Sequence, residues 1–137
     1  AVRTLTGVDG NRYLLDTNAI IALQRENETL KKLLSTADDV FVPVVAVGEL
    51  YYGAYRSQRV EENRQNVAAF IASRVVLNVD TDTADVYGQV KQGLRAKGRP
   101  IPENDIWIAA IAIQYDLTLI ADDAHFDEVD NLNWKRW

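Results

Sequence analysis

The chain has 137 residues, the length of one ordinary domain, with hydrophobic residues at 47% and charged residues at 26%. Those proportions suit a globular protein with a real core and exclude a disordered or fibrous chain. The formal charge of −5, from 20 acidic against 15 basic residues, excludes a uniformly basic nucleic-acid binder, so any nucleic-acid contact has to be local.

Cysteine is absent, which excludes disulfides, thiolate metal sites and a cysteine nucleophile and fits a cytoplasmic location. The longest apolar run, 106–113, falls far short of the about 20 residues a helix needs to cross a bilayer, and no signal-peptide pattern opens the chain. A soluble protein with no membrane partner is expected. Methionine is also absent, and residues 1–12 are left outside the expected fold as an N-terminal extension, with a single domain over 13–137.

In chain order, Tyr13-Leu14-Leu15 reads as a short apolar strand running into Asp16-Thr17-Asn18, side chains that favour helix starts. Two short helices follow over 19–24 and 30–34, parted by the polar stretch 25–29. A β-branched strand over 40–44 carries Pro43 near its end. A long helical region then holds Glu49 and the amphipathic stretch 60–72 and ends at a third strand over 75–79. The next helix starts at 82–85 and ends on Lys91, Arg95, Lys97 and the stop Gly98. Beyond Pro100 and Pro102, Glu103-Asn104-Asp105 opens the apolar helix 106–113, a fourth strand covers 117–121, and a last strand is expected at 132–137. Strands that are apolar throughout, alternating with helices, predict an α/β domain of three layers with a central, mainly parallel sheet flanked by helices.

In such sheets ligands bind beyond the carboxyl ends of the strands, where the strand order reverses. Asp16 follows the first strand and Asp122 and Asp123 follow the fourth. Glu49 sits in an otherwise apolar neighbourhood, where a charge needs a reason. Asp105 opens the most apolar helix and shares a helical stripe with Ala109 and Ala112. Each acid alone has an ordinary explanation, Asp16 as a helix cap and Asp105 as a first-turn acid. Together they gather about four carboxylates at one end of one sheet, where mutual repulsion calls for a cation. Hard carboxylate oxygens, with no cysteine and one histidine, select Mg²⁺ or Mn²⁺, and the implied chemistry is metal-assisted phosphoryl transfer.

Leu14-Leu15-Asp16-Thr17-Asn18, Gly48-Glu49-Leu50, Asn104-Asp105-Ile106-Trp107-Ile108-Ala109-Ala110 and Asp122-Asp123-Ala124-His125-Phe126 resemble, in order and spacing, the four motifs of the PIN-domain ribonucleases. Within that family the chain is most similar to the VapC-type toxins of type II toxin-antitoxin modules, over about residues 12–132. The resemblance implies a PIN-like fold, divalent-metal-dependent endonucleolytic cleavage of RNA, and Asp16, Glu49, Asp105 and Asp123 as catalytic acids binding Mg²⁺ or Mn²⁺. It further implies a homodimer and a cognate antitoxin that covers the acidic cleft. One departure concerns Ala121, where many members carry Thr or Ser, and it leaves Asp122 as an alternative fourth ligand.

Thr17, Asn18 and Asn104 either orient the acids by hydrogen bonds or serve as helix-start residues. Lys91, Arg95, Lys97 and Arg99 form either a rail for RNA phosphates or the basic end of a helix. Arg25, Arg56, Arg59 and Arg64 are further cations with nothing to distinguish them. Tyr51, Tyr52 and Tyr55 either stack on bases or belong to the core. His125 is expected to pack or cap and stays outside the catalytic set. Ile20, Ile21, Leu23, Leu30, Leu33 and Leu34 form either the antitoxin groove or plain core. The competing functions are a PIN-fold RNA-processing nuclease or inactive RNA-binding module outside any toxin-antitoxin pair, and a receiver-like signalling domain. The receiver reading lacks a single phospho-acceptor after the third strand and a lysine at a later strand end.

Overall fold

The structure is a computed structural model that describes residues 11–137. Strands β1 (Arg12–Leu15), β2 (Asp39–Pro43), β3 (Val75–Leu77), β4 (Thr118–Ala121) and β5 (Asn133–Arg136) form one sheet in the order β3-β2-β1-β4-β5. Every pairing is parallel, so the sheet expected to be mainly parallel is wholly so. Tyr13, Leu14 and Leu15 of β1 are all buried, as are Leu119, Ile120 and Ala121 of β4. Successive strand residues point to opposite faces, so both faces of these two central strands are covered.

The cover comes from α1 (Thr17–Gln24), α2 (Glu28–Leu34), α3 (Val44–Tyr55), α4 (Val60–Ala72), α5 (Thr81–Lys97) and α6 (Glu103–Gln114), with a 3-10 turn at Ala124–Glu128. Helix α6 buries Ile106, Ile108, Ala109, Ala110, Ile111 and Ala112, an apolar surface on nearly every side, as suits the helix with the least access to solvent. Helix α5 opens with a capping box between Asp80 and Thr83 and closes on Gly98, whose φ of 65° is left-handed. There the Gly98 amide donates to the Arg95 carbonyl and the Arg99 amide to the Leu94 carbonyl, the two bonds of a glycine-dependent helix stop.

Several boundaries differ from the sequence expectation. β1 takes in Arg12, and the Asn11 amide donates to Asp38 Oδ2 at 3.0 Å. Residues 11 and 12 of the segment 1–12 are therefore part of the fold, and residues 1–10 lie outside the described residues. Helix α3 starts at Val44, the residue expected to close the strand, because Pro43, with ψ 140°, ends the strand and serves as the N-cap. β3 stops at Leu77, and Asp80 is already the N-cap of α5.

Candidate active site

The chain runs outward from β1 to β2 and β3, then returns to place β4 on the other side of β1. The reversal puts a crevice beyond the carboxyl ends of β1 and β4. Asp16 stands at its base, 5% exposed. Its amide donates to the Ile120 carbonyl at 3.1 Å, which extends the β1–β4 ladder, and its Oδ1 accepts the Ala19 amide at 2.8 Å as N-cap of α1. One oxygen of Asp16 thus caps the helix while the charges of its acidic neighbours act on the same carboxylate. Burial pushes its pKa up to about 7, the Ala19 amide opposes that, and the charges of Asp122, Asp105 and Glu49 add to it.

Glu49 projects from α3, and its Oε1 accepts a 2.6 Å hydrogen bond from the Thr17 hydroxyl, so Thr17 joins α1 to an acid of α3. Asn18 Nδ2 reaches Asp122 Oδ1 at 3.4 Å. Both residues therefore contact carboxylates in addition to standing at a helix start. Asp105 lies in the first turn of α6. Burial raises its pKa, His125 lowers it, and the charges of Glu49 and Asp123 raise it again. Asn104 lines a groove beside Glu49.

The two acids after β4 divide between their neighbours: Asp122 acts on Asp16, Asp123 on Asp105. Asp123 also caps the 3-10 turn, accepting the His125 amide at 2.9 Å. Beneath them Ala121 is fully buried and offers no hydroxyl. Arg136 of β5 holds the Asp122 carbonyl at 2.5 Å.

His125, expected only to pack or cap, touches two acids. Its Nε2 stands 2.9 Å from Asp105 Oδ2 and its Nδ1 3.1 Å from Asp123 Oδ1. Nε2 is buried and the approach is too oblique for an aligned hydrogen bond, so the contact is one of charge and position. The ring also meets Phe126 edge-on, with centroids 4.6 Å apart, which is the packing the sequence led one to expect. Adjacency to the fourth motif was the only sequence signal for its contact with the acids.

The basic residues of α5 fare differently. Lys91 pairs with Glu103 Oε2 at 2.9 Å. Lys97 is held by the Glu128 carbonyl at 2.8 Å and Asp130 Oδ1 at 2.7 Å. Arg95 and Arg99 are exposed. Two of the four expected rail residues are thus committed to partners within the fold.

Among the described residues no three His, Asp or Glu side chains are gathered closely enough to ligate one ion as they stand. The donors nevertheless fit a hard divalent cation in kind. They are all carboxylate oxygens, and a divalent charge would relieve both the cost of burying Asp16 and Asp105 and the repulsion from the acids around them.

The PIN domain family model matches residues 13–132. The chain is 33% identical to Ribonuclease VapC2 of Haemophilus influenzae over 129 residues, 92% of this chain and 98% of that protein. It is 27% identical to the tRNA(fMet)-specific endonuclease VapC of Shigella flexneri, again over 92% and 98% of the two chains. Among solved structures, DNA-bound VapBC from Salmonella typhimurium superposes with a TM-score of 0.85 at 27% identity, covering 92% of this chain and 98% of that one. Sheet order, acids at the strand ends and these likenesses converge: the chain belongs to the PIN-domain family, as a protein of the VapC type.

Proposed function

We propose that the chain is an endoribonuclease that cuts RNA phosphodiester bonds at a divalent-ion site held by Asp16, Glu49, Asp105 and Asp123, with Asp122 facing Asp16. The observation that carries this reading is the convergence of Asp105, Glu49 and Asp122 on the buried Asp16 carboxylate at the reversal between β1 and β4. When bound, Mg²⁺ or Mn²⁺ supplies a lowered pKa for a water and neutralises charge developing on the scissile phosphate. The protein's own part is positional. The Ala19 amide fixes one oxygen of Asp16, the Thr17 hydroxyl fixes Glu49, and Asn18 steadies Asp122. No described helix is long and apolar enough to cross a membrane.

The named relatives are ribonucleases, and the matched structures include VapBC complexes. That supports reading this chain as a toxin that acts on cytoplasmic RNA, is restrained by a cognate antitoxin and pairs with a second copy of itself. The test is cleavage of total cellular RNA by the purified, partner-free chain in Mg²⁺ or Mn²⁺ and again in chelator. Fragments that vanish in chelator and fall by on the order of 10² or more in Asp16→Asn and Asp105→Asn are expected. Absence of cleavage under either metal overturns the enzyme and leaves an RNA-binding module lacking the hydroxyl that Ala121 does not provide.

A further inference from the structure

A groove of about 1070 Å³ opens beside the acids, bounded by α1, α3 and α4, with Glu49 and Asn104 at its lining and Arg25, Tyr52, Arg56 and Asn66 along it. We propose that this groove seats the RNA strand next to the scissile phosphate, with Arg25 and Arg56 on its phosphates and Tyr52 beneath a base. The inference rests on the endoribonuclease reading and adds the residues that hold the strand.

Three observations carry it. The first is how the arginines of this region are used. Arg59 pairs with Glu62 at 3.5 Å and Arg64 with Glu61 at 2.5 Å, which cancels their charges, whereas Arg25 and Arg56 line the groove and make no ion pair with an acid among the described residues. The only carboxylate in the lining is Glu49, itself held by Thr17. In a chain of net charge −5, two uncancelled cations beside a cluster of acids mark where a polyanion can approach.

The second is direction. Helix α1 leaves the carboxyl end of β1 and α3 that of the neighbouring, parallel β2. Both carry their last turns away from the acids, and Arg25 and Arg56 are the respective C-caps. At 1.5 Å per residue, Arg25 lies about 12 Å along the helix from Thr17, and Arg56 about 10 Å from Glu49. Two cations therefore stand at matched distances down one track that begins at the acids.

The third is an aromatic that the core does not use. Tyr52 is 68% exposed and lines the groove with the Arg56 guanidinium 5.3 Å from its ring centroid. A flat ring beside an unpaired guanidinium is the pairing with which proteins hold unstacked bases and their phosphates.

The test is anisotropy of fluorescein-labelled single-stranded RNA of mixed sequence, bound to the full chain in the Asp16→Asn background with Mg²⁺ present, so that binding is read without cleavage. The Arg25→Ala/Arg56→Ala pair should weaken binding by about tenfold or more and flatten the logarithmic salt dependence by about 1.4, two contacts at about 0.7 each. Tyr52→Ala should weaken it roughly fivefold or more. Arg59→Ala/Arg64→Ala should change neither quantity, and the thermal midpoint of each variant separates lost contact from lost helix stability. Unchanged affinity and slope in the groove variants overturn the proposal, as does an equal loss in the Arg59/Arg64 pair. Retained RNA binding with loss of co-expressed antitoxin would make the groove a protein site, and retained RNA binding with loss of self-association in Tyr52→Ala would make it a seat for a second copy. Either result overturns the RNA assignment. Failure of the parent chain to bind or cut RNA removes the endoribonuclease reading together with this one, whereas a parent that cuts while the groove variants cut equally well removes only the strand seat.

Discussion

Nε2 of His125 stands 2.9 Å from Oδ2 of Asp105, tying the 3-10 turn after β4 to the first turn of α6. The same ring reaches Asp123 through Nδ1 at 3.1 Å, so a single imidazole spans two carboxylates that would otherwise repel. Replacing His125 by Ala is expected to lower Mg²⁺ affinity and cleavage by roughly 10–100-fold, as removal of a group that orients metal-facing carboxylates does elsewhere. Calorimetric titration of Mg²⁺ checks the affinity independently of turnover. Unchanged affinity would reduce His125 to its contact with Phe126.

The spine of the fold was legible because its signals are local. Apolar strands end on Asp16 and on Asp122-Asp123, and a buried parallel strand leaves little choice of where its last residue can turn. Glu49 and Asp105 were legible as charges misplaced among apolar neighbours. The start of α3 was not, since Val44-Val45-Ala46-Val47 is as β-branched as the strand before it and only the backbone at Pro43 separates the two. Nor could the sequence rank Arg25 and Arg56 above Arg59 and Arg64. What divides them is a glutamate one helical turn away for two of them and a groove wall for the others, and the wall exists only once α1, α3 and α4 have packed.

Thr17 links two elements through one hydrogen atom, donated to Glu49 at 2.6 Å. Thr17→Val is expected to reduce single-turnover cleavage about tenfold and cost about 1 kcal/mol of stability, whereas Thr17→Ser keeps the hydroxyl and restores most of the rate. If Val and Ser behave alike in single-turnover kinetics, the bond does not position Glu49.

Asp16 makes stability depend on pH in a defined sense. Its carboxyl, ordinarily near 3.8, titrates in the folded chain at about 7, so the folded state holds that proton more tightly than the unfolded one. The resulting stabilisation is full below about pH 4 and is lost as pH rises through about 7, and Asp105, also raised, acts in the same sense. Carboxylates shifted downward, such as Asp80 and Glu103, act at lower pH. In chelator the thermal midpoint should therefore fall between about pH 5 and pH 7, and Mg²⁺ should recover it most at the upper end. Asp16→Asn, which still caps α1, should flatten the slope. Scanning calorimetry of both chains across that window would expose the error if the slopes coincide.

Thr83 offers a contrast far from the acids. It is fully buried, its hydroxyl accepts the Asp80 amide at 3.0 Å and donates to Gln114 at the end of α6, and Gln114 in turn donates to Asp80 at 3.0 Å. Thr83→Val keeps the shape and breaks the network, at an expected cost of about 1–3 kcal/mol, read as a lowered midpoint in thermal denaturation. Mg²⁺ affinity should be unchanged, because the loss falls on the attachment of α5 to α6 and touches no acid.

The strand order has a consequence for how the protein is made. Asp16 is translated before the backbone it bonds to, the Ile120 carbonyl, and before the acids that follow that strand. A nascent chain still short of β4 lacks the Ile120 carbonyl that the Asp16 amide bonds to, and both Asp122 and Asp123 beyond it. The crevice that gathers these acids therefore forms only when the late strand inserts against the early one.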